Sequence, residues 1–351
     1  MIIAPVSTGT DHEAVLRCRD EQTGLRAVIA IHDTTLGPAA GGCRMWPYAC
    51  EDEALRDALR LARGMTYKSA LADLPFGGGK SVILGDPARD KTEGLLRTFG
   101  RFVEHLAGRY VAAEDVGISV RDVETIASET AHVAGLAHGC HASGDPSPLT
   151  ARGVLVGMRA AVAARLGRDS LAGLRVAIQG VGAVGGQLCR MLHAEGARLV
   201  VADLSDRAVR DAIARYGADA VAGDAIVAAD ADVFAPCALG GIIDDDAVAR
   251  LRAKVVAGSA NNQLATPRHG DDLARRGVLY APDYVINAGG IINVAGELSG
   301  DHDPDAVLEQ IERIGPRLAA LFREAERKGT CPGRVADDMA RARLEAARKA
   351  A

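Results

Sequence analysis

Lysine is scarce in this chain: of 41 basic residues, 35 are arginine and six are lysine. Where a plain positive charge suffices, the sequence uses Arg. Lys68 and Lys80, 12 positions apart, therefore point to a need for a primary amine. Burial can strip an ammonium of its proton near neutrality, whereas a guanidinium stays charged. Lys80 ends the run Gly77-Gly78-Gly79, where a backbone without side chains lets a ligand approach closely. Ala113-Glu114-Asp115 adds carboxylates at the end of a strand-like stretch, and a titrating amine beside a carboxylate makes an acid–base set. The plain alternative makes both lysines surface charges and Asp115 a cap for the helix expected near Val120. Gly79-Lys80-Ser81 also resembles the end of a P-loop, but that motif requires glycine where this chain has Leu74.

A second constellation lies downstream. Gly180-Val181-Gly182-Ala183-Val184-Gly185 fits G-x-G-x-x-G, follows an apolar strand candidate and opens a helix candidate. In such a loop Gly180 permits the tight turn and Gly182 lets a pyrophosphate reach the backbone. Gly185 lets the helix pack on the strand, and the helix N-terminus favours the phosphate charge. Asp203 ends the next strand candidate. It can accept both ribose hydroxyls and would repel a 2′-phosphate, which favours NAD over NADP.

The elements that must hold these residues can be read from periodicity. Strands are expected at Arg26–Ile31, Ser81–Leu84 and Tyr110–Ala113, and helices at Glu51–Met65, Glu93–Leu106 and Val120–Thr130. That places the reactive residues near strand ends, where α/β sheets bind ligands. Gly, Ser, His and Pro between about 135 and 148 read as a hinge. A second series follows, with strands at Leu174–Gln179, Arg198–Ala202, Asp232–Ala235, Lys254–Ala257, Val278–Tyr280 and Tyr284–Ile286, and a helix at Val184–Glu195. Such alternation implies a parallel sheet with helices on both faces. The tail from about Pro304 reads as two helices. The expected fold is α/β with two domains separated by a cleft. Residues 1–140 form a substrate-binding domain, to which the family resemblance given below adds an oligomerisation role and the packing back of helices of about 315–351. Residues 141–314 form a Rossmann-type NAD-binding domain.

With 351 residues and a net charge of −5, the chain has room for two cores and no basic stretch for nucleic acid. The first residues lack the features of a signal peptide, and no apolar run reaches membrane-spanning length. A cytoplasmic protein is expected. The seven cysteines are scattered without a Cys-x-x-Cys pair, so neither a disulfide framework nor a metal site is expected. His138-Gly139-Cys140-His141 reads as a loop rather than a ligand set.

Together these segments resemble the glutamate/leucine/phenylalanine/valine dehydrogenase superfamily, closest to its leucine branch. The similarity runs through Gly37–Trp46, Met65–Lys68, Leu74–Lys80, Ala113–Gly117, the glycine fingerprint, Phe234–Gly241 and Ala281–Gly290. It implies NAD-dependent, reversible oxidative deamination of an L-amino acid to the 2-oxo acid, ammonium and NADH, by a homo-oligomer with no membrane partner. It further implies that Lys68 anchors the substrate carboxylate, helped by the backbone of Gly41 and Gly42. Lys80 would be the base that activates water, and Asp115 would relay the amino proton. Thr150 and Asn287 would lie at the nicotinamide, with Asn287 also near the substrate amino group. Cys237, Ala238, Ala260, Asn261 and Asn262 would line the cofactor site, Cys237 as wall rather than nucleophile.

The glutamate branch carries Lys where this chain has Ala40, and a polar contact where it has Val294. An unpaired carboxylate there would be strongly disfavoured. A pocket walled by Ala40, Ala113, Ile291 and Val294 should take an apolar side chain, branched-chain aliphatic for preference, with phenylalanine or another bulky apolar residue as the alternative. Two further readings stay open: a catalytically silent amino-acid or nucleotide sensor, and a 2-hydroxy-acid dehydrogenase, which would need a His–acid pair that His193 and His269 do not form.

Overall fold

The computed structural model describes residues 1–138, 144–300 and 303–350. The chain divides into two units. The first comprises Met1–Asp145, Asn293–Asp303 and Ala340–Ala351, the second Pro146–Ile292 and Pro304–Met339. Residues 139–143 of the expected hinge, and with them Gly139, Cys140 and His141, lie outside the described residues.

The first unit contains β1 (Ile2–Pro5), β2 (Ala14–Asp20), β3 (Leu25–Asp33), β4 (Ala39–Trp46), α1 (Glu51–Leu71), β5 (Gly77–Leu84), α2 (Glu93–Glu104), β6 (Tyr110–Ala113) and α3 (Val120–Ala127). Its sheet runs β1-β2-β3-β5-β4-β6. Only β4 pairs parallel with its neighbours, and the rest is antiparallel. This sheet is therefore mixed. β2 and β3 are joined by a short turn, and a short turn can only return the chain antiparallel.

Alternation along the strands splits the core. Val28, Ala30, Val82 and Leu84 face α1, where Ala54, Ala58 and Ala62 meet them. Ile29, Ile31, Met45 and Ile83 face the aromatic side chains of α2 and Ile126 of α3. The small residues of α1 let it lie close to the sheet. Glu51, Asp52 and Glu53 at its start and Lys68 in its last turn complement the helix dipole. Ser119 caps α3 in a reciprocal box with Asp122, so Asp115 is not that helix's cap.

The second unit begins with α4 (Ser147–Leu166), β7 (Arg175–Gln179), α5 (Ala183–Ala194), β8 (Arg198–Ala202), α6 (Asp206–Tyr216), β9 (Asp219–Ala220) and β10 (Val233–Pro236). It continues with α7 (Asp245–Arg250), β11 (Val255–Val256), α8 (Arg268–Arg275), β12 (Leu279–Tyr280) and α9 (Asp283–Ile286). Then come α10 (Gly289–Ser299), α11 (Pro304–Glu312), α12 (Ile314–Lys328) and α13 (Pro332–Ala350), of which α10 and α13 run from one unit into the other. Every strand pair is parallel. The order β12-β11-β10-β7-β8-β9 is that of a dinucleotide-binding sheet, in which the sequence order of the parallel strands reverses between β7 and β10.

Two expectations are corrected here. Tyr284–Ile286 is not a strand but part of α9. Pro282 and Asp283 start a helical turn there, with the Asp283 carboxylate accepting the Tyr284 N–H at 2.8 Å. The tail holds three helices, not two, and most of it joins the second unit. Ile314, Leu318, Leu321 and Phe322 bury one face of α12, which packs on α4. Gly157 admits that packing, since a Cβ there would lie 2.7 Å from Leu318 Cδ1. Only residues 340–351 join the first unit, where Arg343 pairs with Asp73 and Arg348 with Asp33. The unit boundary accordingly falls after Asp145 rather than after residue 140. Among the described residues, no helix is long and apolar enough to cross a membrane.

Candidate active site

Lys80 is not at a strand end. It is the fourth residue of β5, which begins at Gly77 and absorbs the whole glycine run. These glycines are buried and serve packing. A Cβ on Gly78 would lie 2.0 Å from the backbone nitrogen of Thr66 in α1, and one on Gly79 would meet the Tyr110 ring at 2.7 Å. The run is therefore a seat for α1 and Tyr110 rather than an open ligand cradle. By strand parity Gly78 and Lys80 share the face that carries α1, and Lys68, in the last turn of α1, is also buried.

The Lys80 ammonium lies 2.5 Å from Asp115 Oδ2, at 4% residue exposure. Arg44 of β4 reaches the same oxygen through Nε at 3.1 Å and reaches Asp57 Oδ2 of α1 through a terminal nitrogen at 2.9 Å. Tyr48 donates to that Asp57 oxygen at 2.6 Å. Burial lowers the pKa of Lys80 below the usual lysine range, with Asp115 opposing and Arg44 reinforcing. Burial pushes the Asp115 carboxyl up, but Lys80 and Arg44 outweigh it and hold Asp115 well below the usual carboxylate range. Neither lysine is a surface charge.

Ala40 and Gly42 share the α1 face of β4 with Arg44, and Ala113 of β6 pairs in register with Gly42. The β4–β5 pairing stops after Ala40↔Gly78 and resumes at Cys43↔Ser81, leaving Gly41 and Gly42 outside it. Gly41 needs its missing side chain, because a Cβ would lie 1.9 Å from the Gly79 carbonyl oxygen. Its own carbonyl accepts the Tyr110 hydroxyl at 2.6 Å. On α10, Ile291 falls in the second unit, while the buried Val294 falls in the first.

The second unit carries the cofactor candidates, with Gly180, Asp203 and Cys237 just past the C-terminal ends of β7, β8 and β10. Gly180 takes φ +89° and packs on Ala238, where a Cβ would come within 2.8 Å of the alanine Cβ. Gly185 lies against the Gly180 carbonyl, 1.9 Å from where a Cβ would be, whereas a Cβ on Gly182 would meet nothing within 4 Å. The three glycines thus divide into turn, open approach and helix packing, with open space where a pyrophosphate would lie. Gly182 starts α5 without a side-chain cap, so Ala183 and Val184 lie in a first turn whose N–H groups point outward. Asp203 accepts the Val181 N–H at 2.7 Å and the Ser205 N–H at 2.8 Å. It pins the glycine loop while keeping further acceptor capacity.

Around the other end, Asn287 donates to Ser259 O at 2.9 Å and to Asn261 Oδ1 at 2.8 Å. Its own Oδ1 is buried without a hydrogen-bond partner among the described residues, an acceptor suited to a carboxamide N–H₂. Thr150 is no cap. Its hydroxyl donates to Pro146 O at 3.0 Å and lies 2.6 Å from where a Cβ on Gly290 would be. Asn262 takes a left-handed φ of +52°, and Ala260 is buried with its N–H on Pro236 O at 2.9 Å. Burial raises the Cys237 thiol, which suits a wall and not a nucleophile. These residues fit a nicotinamide dinucleotide. Asp245, His269 and Asp272 also approach one another, but Arg268 pairs with both carboxylates and Arg275 with Asp272.

Residues 12–132 match the family described as Glu/Leu/Phe/Val dehydrogenase, dimerisation domain, and residues 202–325 match Glutamate/Leucine/Phenylalanine/Valine dehydrogenase. The leucine dehydrogenase of Geobacillus stearothermophilus is 54% identical, covering 97% of this chain and 92% of that protein. The chain belongs to this family. It is an amino-acid dehydrogenase, an oxidoreductase that uses a nicotinamide cofactor and a small-molecule substrate. The crystal structure of L-tryptophan dehydrogenase from Nostoc punctiforme superposes with a TM-score of 0.78 at 44% identity, over 96% of this chain and 97% of that one. A hetero-hexameric glutamate dehydrogenase from Thermus thermophilus, in its Leu-bound form, also gives 0.78, at 27% identity over 95% and 88%. Membership removes the 2-hydroxy-acid reading. Sequence reasoning missed Arg44, Asp57 and Tyr48. The signal available was period 2 in β4, which puts Arg44 on the face of Ala40 and Gly42.

Proposed function

We propose that this enzyme catalyses NAD-dependent, reversible oxidative deamination of apolar L-amino acids, with leucine and other branched-chain substrates preferred. The observation that carries the reading is the buried Lys80–Asp115 pair on a sheet face that also bears Ala40 and Ala113. Lys68 pairs with the substrate carboxylate. When bound, the nicotinamide accepts the hydride that leaves the substrate Cα. Lys80, neutral in its working form, takes a proton from the water that attacks the resulting iminium carbon. Asp115, anionic at rest, takes a proton from the substrate amino group, holds it as the carboxylic acid, and returns it to the carbinolamine nitrogen so that ammonia can leave and the carboxylate is restored. Small apolar residues at 40 and 113 and Val294, all of the first unit, offer no partner to a side-chain carboxylate. Specificity constants for leucine and valine should exceed that for glutamate by about a hundredfold or more. Glutamate turnover comparable to leucine would defeat the pocket reading.

A second reading, a bulky or aromatic substrate, is favoured by the smallness of Ala40 and by the likeness to L-tryptophan dehydrogenase. Phenylalanine or tryptophan outrunning leucine in the same assay would establish it. A pocket of this kind separates neighbouring apolar side chains by only about 1–3 kcal/mol, so activity should overlap.

Asp203 supports NAD over NADP. Asp203→Ser should lower kcat/KM for NAD about tenfold or more and raise relative use of NADP, since one charge-assisted acceptor is lost and one repulsion removed. Wild-type enzyme using both cofactors equally would rule this out. A homo-oligomer assembled through the first unit agrees with the matched dimerisation domain, and light scattering tests it.

A further inference from the structure

We infer that Arg44 is a positioning residue for the Lys80–Asp115 pair and that Asp57 and Tyr48 hold Arg44 in place. The relay thereby extends from the reactive amine back to helix α1. The inference rests on the reading of Lys80 as the base.

Two cations share one oxygen of Asp115: Lys80 Nζ at 2.5 Å and Arg44 Nε at 3.1 Å. They differ in what they can give up. Lys80 can release a proton, while a guanidinium cannot. Asp115 therefore keeps a cationic partner, and its anionic form, when Lys80 is neutral. Arg44 itself is fixed by a second carboxylate, Asp57, at 2.9 Å, and Asp57 is steadied by the Tyr48 hydroxyl at 2.6 Å. A planar fork can span two carboxylates where an ammonium of similar reach acts as a point charge. The result is a row of alternating charge, Lys80, Asp115, Arg44 and Asp57, running from β5 across β4 to α1.

Each member biases Lys80 with a known sign. Burial and Arg44 favour the neutral amine, and Asp115 and Asp57 favour the ammonium. The elements around Lys80 also carry Lys68 and Thr66 on α1, His32 on β3, Tyr48 after β4 and Glu114 after β6. Glu114 needs its own control. Burial, then Asp145 and Asp115, push its carboxyl up to about 7, so it titrates in the same range as a working base.

The test is the pH profile of kcat/KM for oxidative deamination with the full-length enzyme. Arg44→Gln should move the acid limb to higher pH by about one pH unit, and Asp57→Asn should move it to lower pH by a similar amount. Opposite directions are the signature. A loosened site would reduce activity at every pH and leave the limb in place. Should Arg44→Gln not fold, Arg44→Lys, which keeps the charge but reaches one carboxylate, should show a smaller upward shift. Asp57→Asn then carries the opposite sign. A stationary limb in these variants, shifts in one direction, or loss of the limb in Glu114→Gln would overturn the inference. Lys80→Ala, assayed with and without methylamine, separates the two levels. Rescue by the amine upholds Lys80 as the base whatever Arg44 does, whereas wild-type activity without it removes the base and the network together.

Discussion

Lys80→Arg should lower turnover about a thousandfold or more, within the range that general acid–base groups contribute, and leave the fold intact. The substitution keeps a cation beside Asp115, so it tests titration rather than charge. Burial favours a neutral Lys80, and the neutral amine is the form that can accept the proton of the attacking water. A guanidinium at this position remains protonated at every accessible pH and offers no lone pair. The profile should also lose its acid limb, because no base remains to be protonated as pH falls. Steady-state assays with leucine and NAD, alongside cofactor binding and thermal unfolding, provide the check. Turnover near that of the wild type in Lys80→Arg would mean that water is activated by another group.

Gly78→Ala should destabilise the first unit by about 3 kcal/mol, at the upper end of what overpacking costs. The added Cβ would lie 2.0 Å from Thr66 N, 2.2 Å from Thr66 Oγ1 and 2.5 Å from Thr66 Cα. Two of these atoms are backbone, so relief requires α1 to move off the sheet. Such a movement shifts Lys68, two residues beyond Thr66 on the same helix, relative to Lys80 on the strand beneath. Activity should therefore fall together with stability. Gly64, also on α1, is the control. A Cβ there meets nothing within 4 Å, and Gly64→Ala should gain about 0.5–1 kcal/mol from helix propensity. Denaturant unfolding of both variants decides the matter, and a Gly78→Ala midpoint equal to that of the wild type would show that α1 is not seated as described.

The same two regions show how far reading the chain alone could go. The candidate dinucleotide site was legible because its physics is local. A strand, a glycine turn, a helix N-terminus and an acidic residue after the next strand all fall within Arg175–Asp203, and each glycine has a job that sequence context names. The proposed catalytic pair, Lys80 and Asp115, was legible as residue types, from the scarcity of lysine and from family resemblance. The glycine run was misread as a ligand-facing approach, because glycine permits both open and crowded backbone. Only the neighbours of Gly77–Gly79 distinguish the two, and they come from Asp33, Thr66 and Tyr110. Tyr284–Ile286 failed for a related reason, since three apolar residues have no period of their own.

By itself, then, the sequence determined the family, the glycine loop between strand and helix and the choice of Lys over Arg at positions 68 and 80. Those properties reside in residue identity and in short-range order. The tertiary structure alone decided that Lys80 stands mid-strand, buried, with its carboxylate shared by Arg44. It also decided that Arg44 is tied to α1 through Asp57, and that the tail divides between the two units. Each of these depends on which surfaces meet across a sheet or a helix pair, and residues far apart in sequence, such as Arg44 and Asp115 at 71 positions, leave no periodic trace of that meeting in the chain.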